Sequence, residues 1–594
     1  MSTKSLQLRL FPILCTLFSY AFAANAQTPS PTPEPRPASS PTASITKEHA
    51  EQQFRKWQRR VDDFTKEIVS ESSAVPDSER AVYLALLAKA WWKVDEAEAR
   101  LHLNKAADKL QGVIGVDEKA QPGMRLFHFQ MAMEVIASLD AKLAQKVIAS
   151  LEKFAGDSNE ERKPDEEMAN MLVSVGFKVV DTNPQMAMAF GMDSLRYGFA
   201  TRLPALAVEI NLKEPLLAES LVRNALTAAR TSTARSSYLM LFNLDRYMSE
   251  FNKGKSFPEA LRRSVVEIFM EVVATAAAVE QERPLRCKVA LYSTRFVARV
   301  AEYFPANATV FNQNLQTCIP FTSETNQERV KTASEAELKS PDDLIRAARA
   351  TNDLNLKIMY YRDALKYYED KKQYDEMISI LDGTDGDDLK AVAPIVWDDW
   401  RSGASSDAAL AAFETKDLPA AYRYIDKTPK RLRPYVRKAL VTNSSVAKNK
   451  EFLLENLEEM QKELNSLDFP TANAARLYLL LTRLYITARP TESEATFRNA
   501  VKYINKNDGD NLEFSPDKDW AIFLEYAVPM KSELLEIDEA SITTSLNNLS
   551  SRRSRVRLKL GFLEPSLKEY VAARKTLDDL TKKLKPATKA PPKQ

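Results

Sequence analysis

Glycine is scarce in this chain, with 13 residues in 594 where average usage is about 7%. Sheet-rich folds of this size need many turns with positive φ, and glycine normally supplies them. Ala, Leu, Lys, Glu and Arg, the strong helix formers, dominate instead. Apolar residues recur at three- and four-residue spacing, as in Leu84, Leu87, Trp91 and Val94, or Leu477, Leu480, Leu481 and Leu484. Proline is placed to start helices. Ser340-Pro341-Asp342-Asp343 sets a cap, a proline at the first helical position and acids over the helix dipole. Asn183-Pro184, Lys163-Pro164-Asp165-Glu166-Glu167 and, more loosely, Asp417-Leu418-Pro419 repeat the device. Pro164, Pro184 and Pro204 are evenly spaced, at the length of one helix and a short turn. Short helices joined by tight turns pack as antiparallel neighbours. The expectation is an all-α chain.

The two ends have other work. Residues 1–26 are laid out as a cleavable signal peptide: Lys4 and Arg9, a short apolar stretch from Leu10 to Phe22, then Ala24-Asn25-Ala26. The stretch is shorter than a membrane span and Pro12 interrupts it. Cys15 lies within the apolar stretch rather than at its end, which argues against lipidation. Residues 27–45 are a proline-rich, disordered spacer, and 582–594 a basic, disordered tail. The expected destination is the periplasm or the extracellular medium, after cleavage near Ala26, without embedding in a membrane. Of 83 basic and 81 acidic residues, cleavage removes two basic ones, so the mature chain is neutral and has no global attraction to nucleic acid. It also leaves Cys287 and Cys318 in a compartment that permits disulfides. A bridge between them would close a loop about one hairpin long; two separately buried thiols are the alternative.

Two segments carry a family resemblance. In residues 83–106, YLALLAKAWWKVDEAEARLHLNKA, Leu87 and Ala90 are set to face Ala99, Leu103 and Ala106 across a turn near Val94-Asp95. Residues 342–381 read as a similar pair with a third helix appended. Both resemble tetratricopeptide-type hairpins, without the glycine of the usual close contact and without a proline at a fixed period. The resemblance implies antiparallel hairpins stacked into a superhelical, α-solenoid array of degenerate repeats, as in some exported bacterial proteins. The polar stretch 320–340 divides it into two expected lobes, 46–319 and 341–581, or else is a long loop in one continuous solenoid.

Motifs for chemistry fail in detail. Gly254-Lys255-Ser256 matches the end of a phosphate-binding loop, but Ser249 stands where a glycine is needed, and the preceding segment reads as helix. His49, His102 and His128 form no pair at metal-ligand spacing. The acidic stretches Asp382–Asp388 and Asn507–Asn511 lack the register of a calcium loop and read as solvated turns. No Gly-x-Ser-x-Gly elbow is present. Signature residues of lytic transglycosylases, which also use helical superhelices, are missing in combination. Neither a catalytic set nor a cofactor or metal site is expected.

Partner binding leaves more to consider. Lys427, Lys430, Arg431, Arg433, Arg437 and Lys438 form one basic cluster, and Arg552, Arg553, Arg555, Arg557 and Lys559 another. Charge runs of this kind normally end as solvated helix ends. Tyr360, Tyr367 and Tyr374 recur every seven residues, and Trp397 and Trp400 are three apart. They are the candidate partner surface, although aromatics at this spacing usually fill a core. The leading expectation is a non-catalytic scaffold that binds protein or peptide in the cell envelope. The alternatives are a helical enzyme cleaving an envelope glycan through paired carboxylates, and a purely structural spacer.

Overall fold

The computed structural model describes residues 46–113, 122–156, 166–231, 235–249, 251–278, 294–318, 320, 340–351, 354–466, 471–510 and 530–584. Among these, every regular element is helical: 27 α-helices and two 3₁₀ turns. The first half holds α1 (Lys47–Ser72), α2 (Asp77–Trp91), α3 (Glu96–Val113), α4 (Pro122–Leu139), α5 (Ala141–Gly156), α6 (Glu166–Val179), α7 (Pro184–Ser194), α8 (Leu203–Lys213), α9 (Pro215–Thr231), α10 (Arg235–Ser249), α11 (Glu259–Ala278), α12 (Thr294–Tyr303) and α13 (Ala308–Cys318). The second holds α14 (Pro341–Ala350), α15 (Leu354–Asp370), α16 (Tyr374–Asp382), α17 (Thr384–Val392), α18 (Pro394–Glu414), α19 (Leu418–Lys427), α20 (Arg433–Val441), α21 (Ser444–Ala447), α22 (Lys450–Ser466), α23 (Thr471–Ala488), α24 (Pro490–Asp510), α25 (Glu533–Ile537), α26 (Glu539–Asn547) and α27 (Arg552–Leu584). The signal-peptide residues, the spacer, most of the 320–340 stretch and residues 585–594 lie outside the described residues. The helix α27 runs through Leu584, past the expected start of the tail at Lys582.

The chain divides into a small unit, residues 1–54 with 575–594, and a large one, residues 55–574. In the small unit the described residues are helix ends, with the Lys47–Glu51 pair one turn apart. In the large unit, helices pack on the next helix and often on the next but one: α2 on α3 and α4, α8 on α9 and α10, α18 on α19 and α20. The resemblance segments behave accordingly. The α2–α3 turn falls at 92–95, and Leu87, Ala99, Leu103 and Ala106 are fully buried against each other's helices. Residues 342–381 form the three helices α14, α15 and α16.

The helix starts follow the sequence reading. Ser340 Oγ accepts from the Asp343 N–H at 3.2 Å, Asn183 Oδ1 from Met186 at 3.0 Å, and Asp417 Oδ1 from Ala420 at 3.0 Å. The helix ends show how so few glycines suffice. After α15, the Gln373 N–H donates to Tyr368 O and Lys372 N–H to Glu369 O. After α18, Asp417 N–H donates to Ala412 O and Lys416 N–H to Phe413 O. Both are Schellman ends, and the left-handed position is held by Lys372 (φ 56°) and Lys416 (φ 65°) rather than by glycine. Each costs about 1 kcal/mol or more relative to glycine.

Proline also departs from the expected rule. Pro565 sits inside α27, where it cannot donate to the carbonyl of Gly561. That carbonyl instead accepts from the Met530 N–H at 2.8 Å, which docks the chain entering α25 onto the middle of α27.

The second basic cluster is overturned as a solvated helix end. Arg557 and Lys559 are 6% and 2% exposed. Arg553 donates to Glu79 at 2.9 Å and Arg557 lies 3.6 Å from the same carboxylate. Arg555 donates to Glu71 at 2.9 Å, and Lys559 reaches both Glu67 and Glu71 at 2.7 Å. Tyr83 donates to Glu79 at 2.6 Å and accepts from Arg557. Arg60 pairs with Glu539 in the same region. These residues join α1 and α2 to α26 and α27, more than 470 residues later. Around them Phe562 packs on Phe64 and Phe497, and one set of buried side chains runs from Trp57 to Cys318 and from Val441 to Leu567. Removing one partner of a buried ion pair strands the other. Glu79→Ala is therefore expected to cost about 3–5 kcal/mol in chemical denaturation, and Arg557→Met distinctly less, because Arg553 and Tyr83 still donate to the buried Glu79.

Candidate functional site

The candidate aromatic surface lies in α14–α18, which has its own core of Ile345, Tyr361, Met377, Leu381 and Trp397. Trp397 is 4% exposed and donates its indole N–H to Leu381 O at 2.8 Å. Tyr360, Tyr374 and Trp400 are partly buried and pack against that core. Tyr367 is the exposed member; its ring meets Tyr368 edge-on and lies under Lys371. The residues thus mostly line an interior, but from three helices: Tyr360 on α15, Tyr374 at the start of α16, and Trp397 and Trp400 on α18. The exposed apolar side chains of this region are elsewhere, at Val392 and Ile395 on either side of the α17–α18 turn.

The acidic stretch Asp382–Asp388 is not a solvated turn. It runs from the last residue of α16 into the first turns of α17, and Asp382, Asp385 and Asp388 each have a basic partner. Arg349 grips Asp385 with two bonds of 2.6 and 2.7 Å, joined by the Tyr361 hydroxyl at 3.1 Å. Lys357 donates to Asp388 at 2.7 Å. Arg401, fully buried, grips Asp382 at 2.6 and 2.8 Å and also reaches Ser405 and the Lys427 carbonyl. Gly386 is required here: a Cβ would fall 1.8 Å from the Leu381 carbonyl oxygen. Spacing along the chain could not show this, because all the cations come from other helices.

The first basic cluster is divided. Arg437 is buried on Glu463 and Asn456, Arg431 pairs with Asp398, and Arg433 donates to the carbonyls of Asp426 and Thr428, whereas Lys427, Lys430 and Lys438 are exposed. Of the Gly254-Lys255-Ser256 loop, Lys255 donates to Leu212 O at 3.2 Å, and its own carbonyl accepts from Asn211. It is an interhelical loop, as its flanks imply.

Asp407 on α18 is the carboxylate best suited to proton chemistry. Burial, with the Glu369 charge adding to it and Lys366 opposing, pushes its pKa up to about 6. His128 is buried near Ser78, and burial brings it down to about 4, with Glu79 opposing and Arg557 and Arg553 adding. His102 lies 3.1 Å from Glu98, and its burial likewise favours the neutral ring. Cys318 is buried and disulfide-bonded; Cys287 lies outside the described residues. Among the described residues, no group of three or more His, Cys, Asp or Glu is arranged to hold a metal ion. No described helix is long and apolar enough to cross a membrane. A shallow depression of 540 Å³ is lined by Thr309, Asn312, Gln313, Gln316 and Thr317, all on α13. Its groups can hydrogen-bond but supply neither acid nor base.

No family model matches the chain, and no curated protein does. Among solved structures it is similar to a circular tandem repeat protein with novel repeat topology and enhanced subunit contact surfaces. That alignment spans 91% of this chain and 99% of the other at 13% identity, with a TM-score of 0.18, too slight a likeness to bear on the fold.

Two outcomes follow from the charges. Asp382→Ala strands the buried Arg401 guanidinium and should cost about 3 kcal/mol or more by denaturant titration, whereas Arg401→Met should cost less. Asp407 has its pKa raised on folding, so the folded state holds the extra proton between the ordinary Asp value and about 6. Its carboxylate therefore destabilises above that window, and the penalty fades as pH falls through it. Asp407→Asn should raise the melting temperature at pH 7.5, with the gain vanishing near pH 4.

Proposed function

We propose that this protein is an exported, non-catalytic helical scaffold that binds protein or peptide partners in the cell envelope, its hairpins stacked as a degenerate α-solenoid in two lobes. The observation that carries the reading is the packing of helices on their next and next-but-one neighbours, an arrangement that multiplies surface rather than enclosing a cavity. Ile395, 71% exposed, and Val392, 43% exposed, offer apolar contact at the α17–α18 turn, beside aromatics already held rigid by packing. Export is supported by the order of charged, apolar and small residues over 1–26, and the mature neutral charge suits a protein partner better than nucleic acid.

A second reading, an enzyme acting on an envelope glycan, is favoured by Asp407, whose raised pKa and proximity to Glu369 suit a general acid. The two separate on one experiment. The chain from Gln27 is used as bait at endogenous partner levels, beside Ile395→Asp and, as control, Leu216→Asp, which is 78% exposed on α9. The scaffold reading expects defined proteins that are lost with Ile395→Asp and kept with Leu216→Asp. Recovery of no specific protein, together with glycan cleavage abolished by Asp407→Asn, would overturn it.

A further inference from the structure

Residues 391–396, Ala-Val-Ala-Pro-Ile-Val, carry the chain from α17 into α18 without one polar side chain. Val392 ends α17 and Pro394 opens α18. Ala391, Val392, Pro394 and Ile395 are all exposed. An apolar run left open to water at a turn is unfavourable for the free chain and marks a place for contact. The turn is also held rigid. The Ala393 N–H donates to Leu389 O at 2.7 Å and the Trp397 N–H to Ala393 O at 3.0 Å. The buried Trp397 ring is itself fixed by its indole bond to Leu381 O. A surface that is already ordered loses little entropy when it docks.

The charges at the two ends of the turn indicate what docks there. On the α17 side stands Lys390, exposed, with its ammonium 4.8 Å from the centre of the Trp397 ring. On the α18 side stand Asp398 and Asp399. Arg431 takes Asp398 at 2.6 Å. Asp399, exposed, lies one helical turn after Ile395 and on the same face of α18. The apolar turn thus has a cation at one end and a carboxylate at the other. A patch of one sign selects a partner of the opposite sign, whereas a patch with one charge at each end matches its own copy rotated by half a turn.

We propose that the α17–α18 turn docks on the same turn of a second copy of this chain, about a two-fold axis. Val392 and Ile395 of the two copies form the apolar centre, and Lys390 of each copy faces the partner's Asp399. The inference rests on the reading of Ile395 as a protein-binding side chain and names its partner. The patch is small beside the roughly 800 Å² per partner of a standard interface, so the dimer is weak and reversible.

Sedimentation equilibrium of the full chain, from about 5 to 500 µM at low salt, tests this. The expected result is a monomer–dimer equilibrium that Ile395→Asp weakens by about tenfold or more and Leu216→Asp leaves unchanged. Lys390→Glu and Asp399→Lys should each weaken it by about tenfold, since each sets like charges together at both ends. The two single variants mixed in equal amounts should dimerise as the unaltered chain does, and so should one chain carrying both changes. Misfolded variants could not restore one another in this way. The proposal is overturned by a chain that stays monomeric over the whole range, by association that ignores Ile395→Asp, or by charge variants that fail to restore each other. A monomeric chain that still recovers another protein through Ile395 would remove the second copy and leave the scaffold reading standing.

Discussion

Four basic side chains of α27, Arg553, Arg555, Arg557 and Lys559, meet Glu67, Glu71 and Glu79 from the first two helices. The register is helical on both sides. Arg555 and Lys559 are one turn apart and face Glu67 and Glu71, also one turn apart, while Arg553 and Arg557 share Glu79. Such pairs contribute little net energy against an apolar alternative, because desolvation offsets their attraction. Their effect is on specificity: a stranded charge here is costly, so α27 has one permitted setting against α1 and α2. The apolar area around Phe64, Phe497 and Phe562 supplies the driving force, and the charges choose the register.

The same logic recurs at smaller scale. Arg401 on Asp382 ties α18 to the end of α16, and Arg349 on Asp385 and Lys357 on Asp388 tie α14 and α15 to α17. Pro565 achieves a comparable result without charge, by leaving a carbonyl that the incoming Met530 N–H satisfies. In each case a locally unfavourable choice, a buried cation or a proline within a helix, is offset by one specific distant partner.

Much of the fold was legible one helix at a time. Ser340, Asn183 and Asp417 cap the helices they precede, and the 83–106 and 342–381 segments form the hairpins that their apolar spacing requires. The candidate site was less legible. Tyr360, Tyr367 and Tyr374 were readable as a seven-residue series and Trp397 and Trp400 as a pair, but which side of a helix faces water depends on its neighbours, and the structure spreads these residues over three helices. Periodicity gives no sign of whether Trp397 finds a carbonyl and Ile395 finds solvent. The basic run 552–559 misled for a related reason. Alternating charges along a helix look solvated until the acids of a distant helix are placed beside them.

By itself, the sequence determined the helical class, the helix starts and the layout of the first 26 residues, because caps, glycine scarcity and apolar periodicity act within about one turn of chain. Tertiary structure decided which charges are buried, which aromatics are core and what the lone proline in α27 is for. Those outcomes depend on side chains tens to hundreds of residues away, brought within 3 Å by packing, where removal from water turns a weak surface attraction into a strict requirement for a partner.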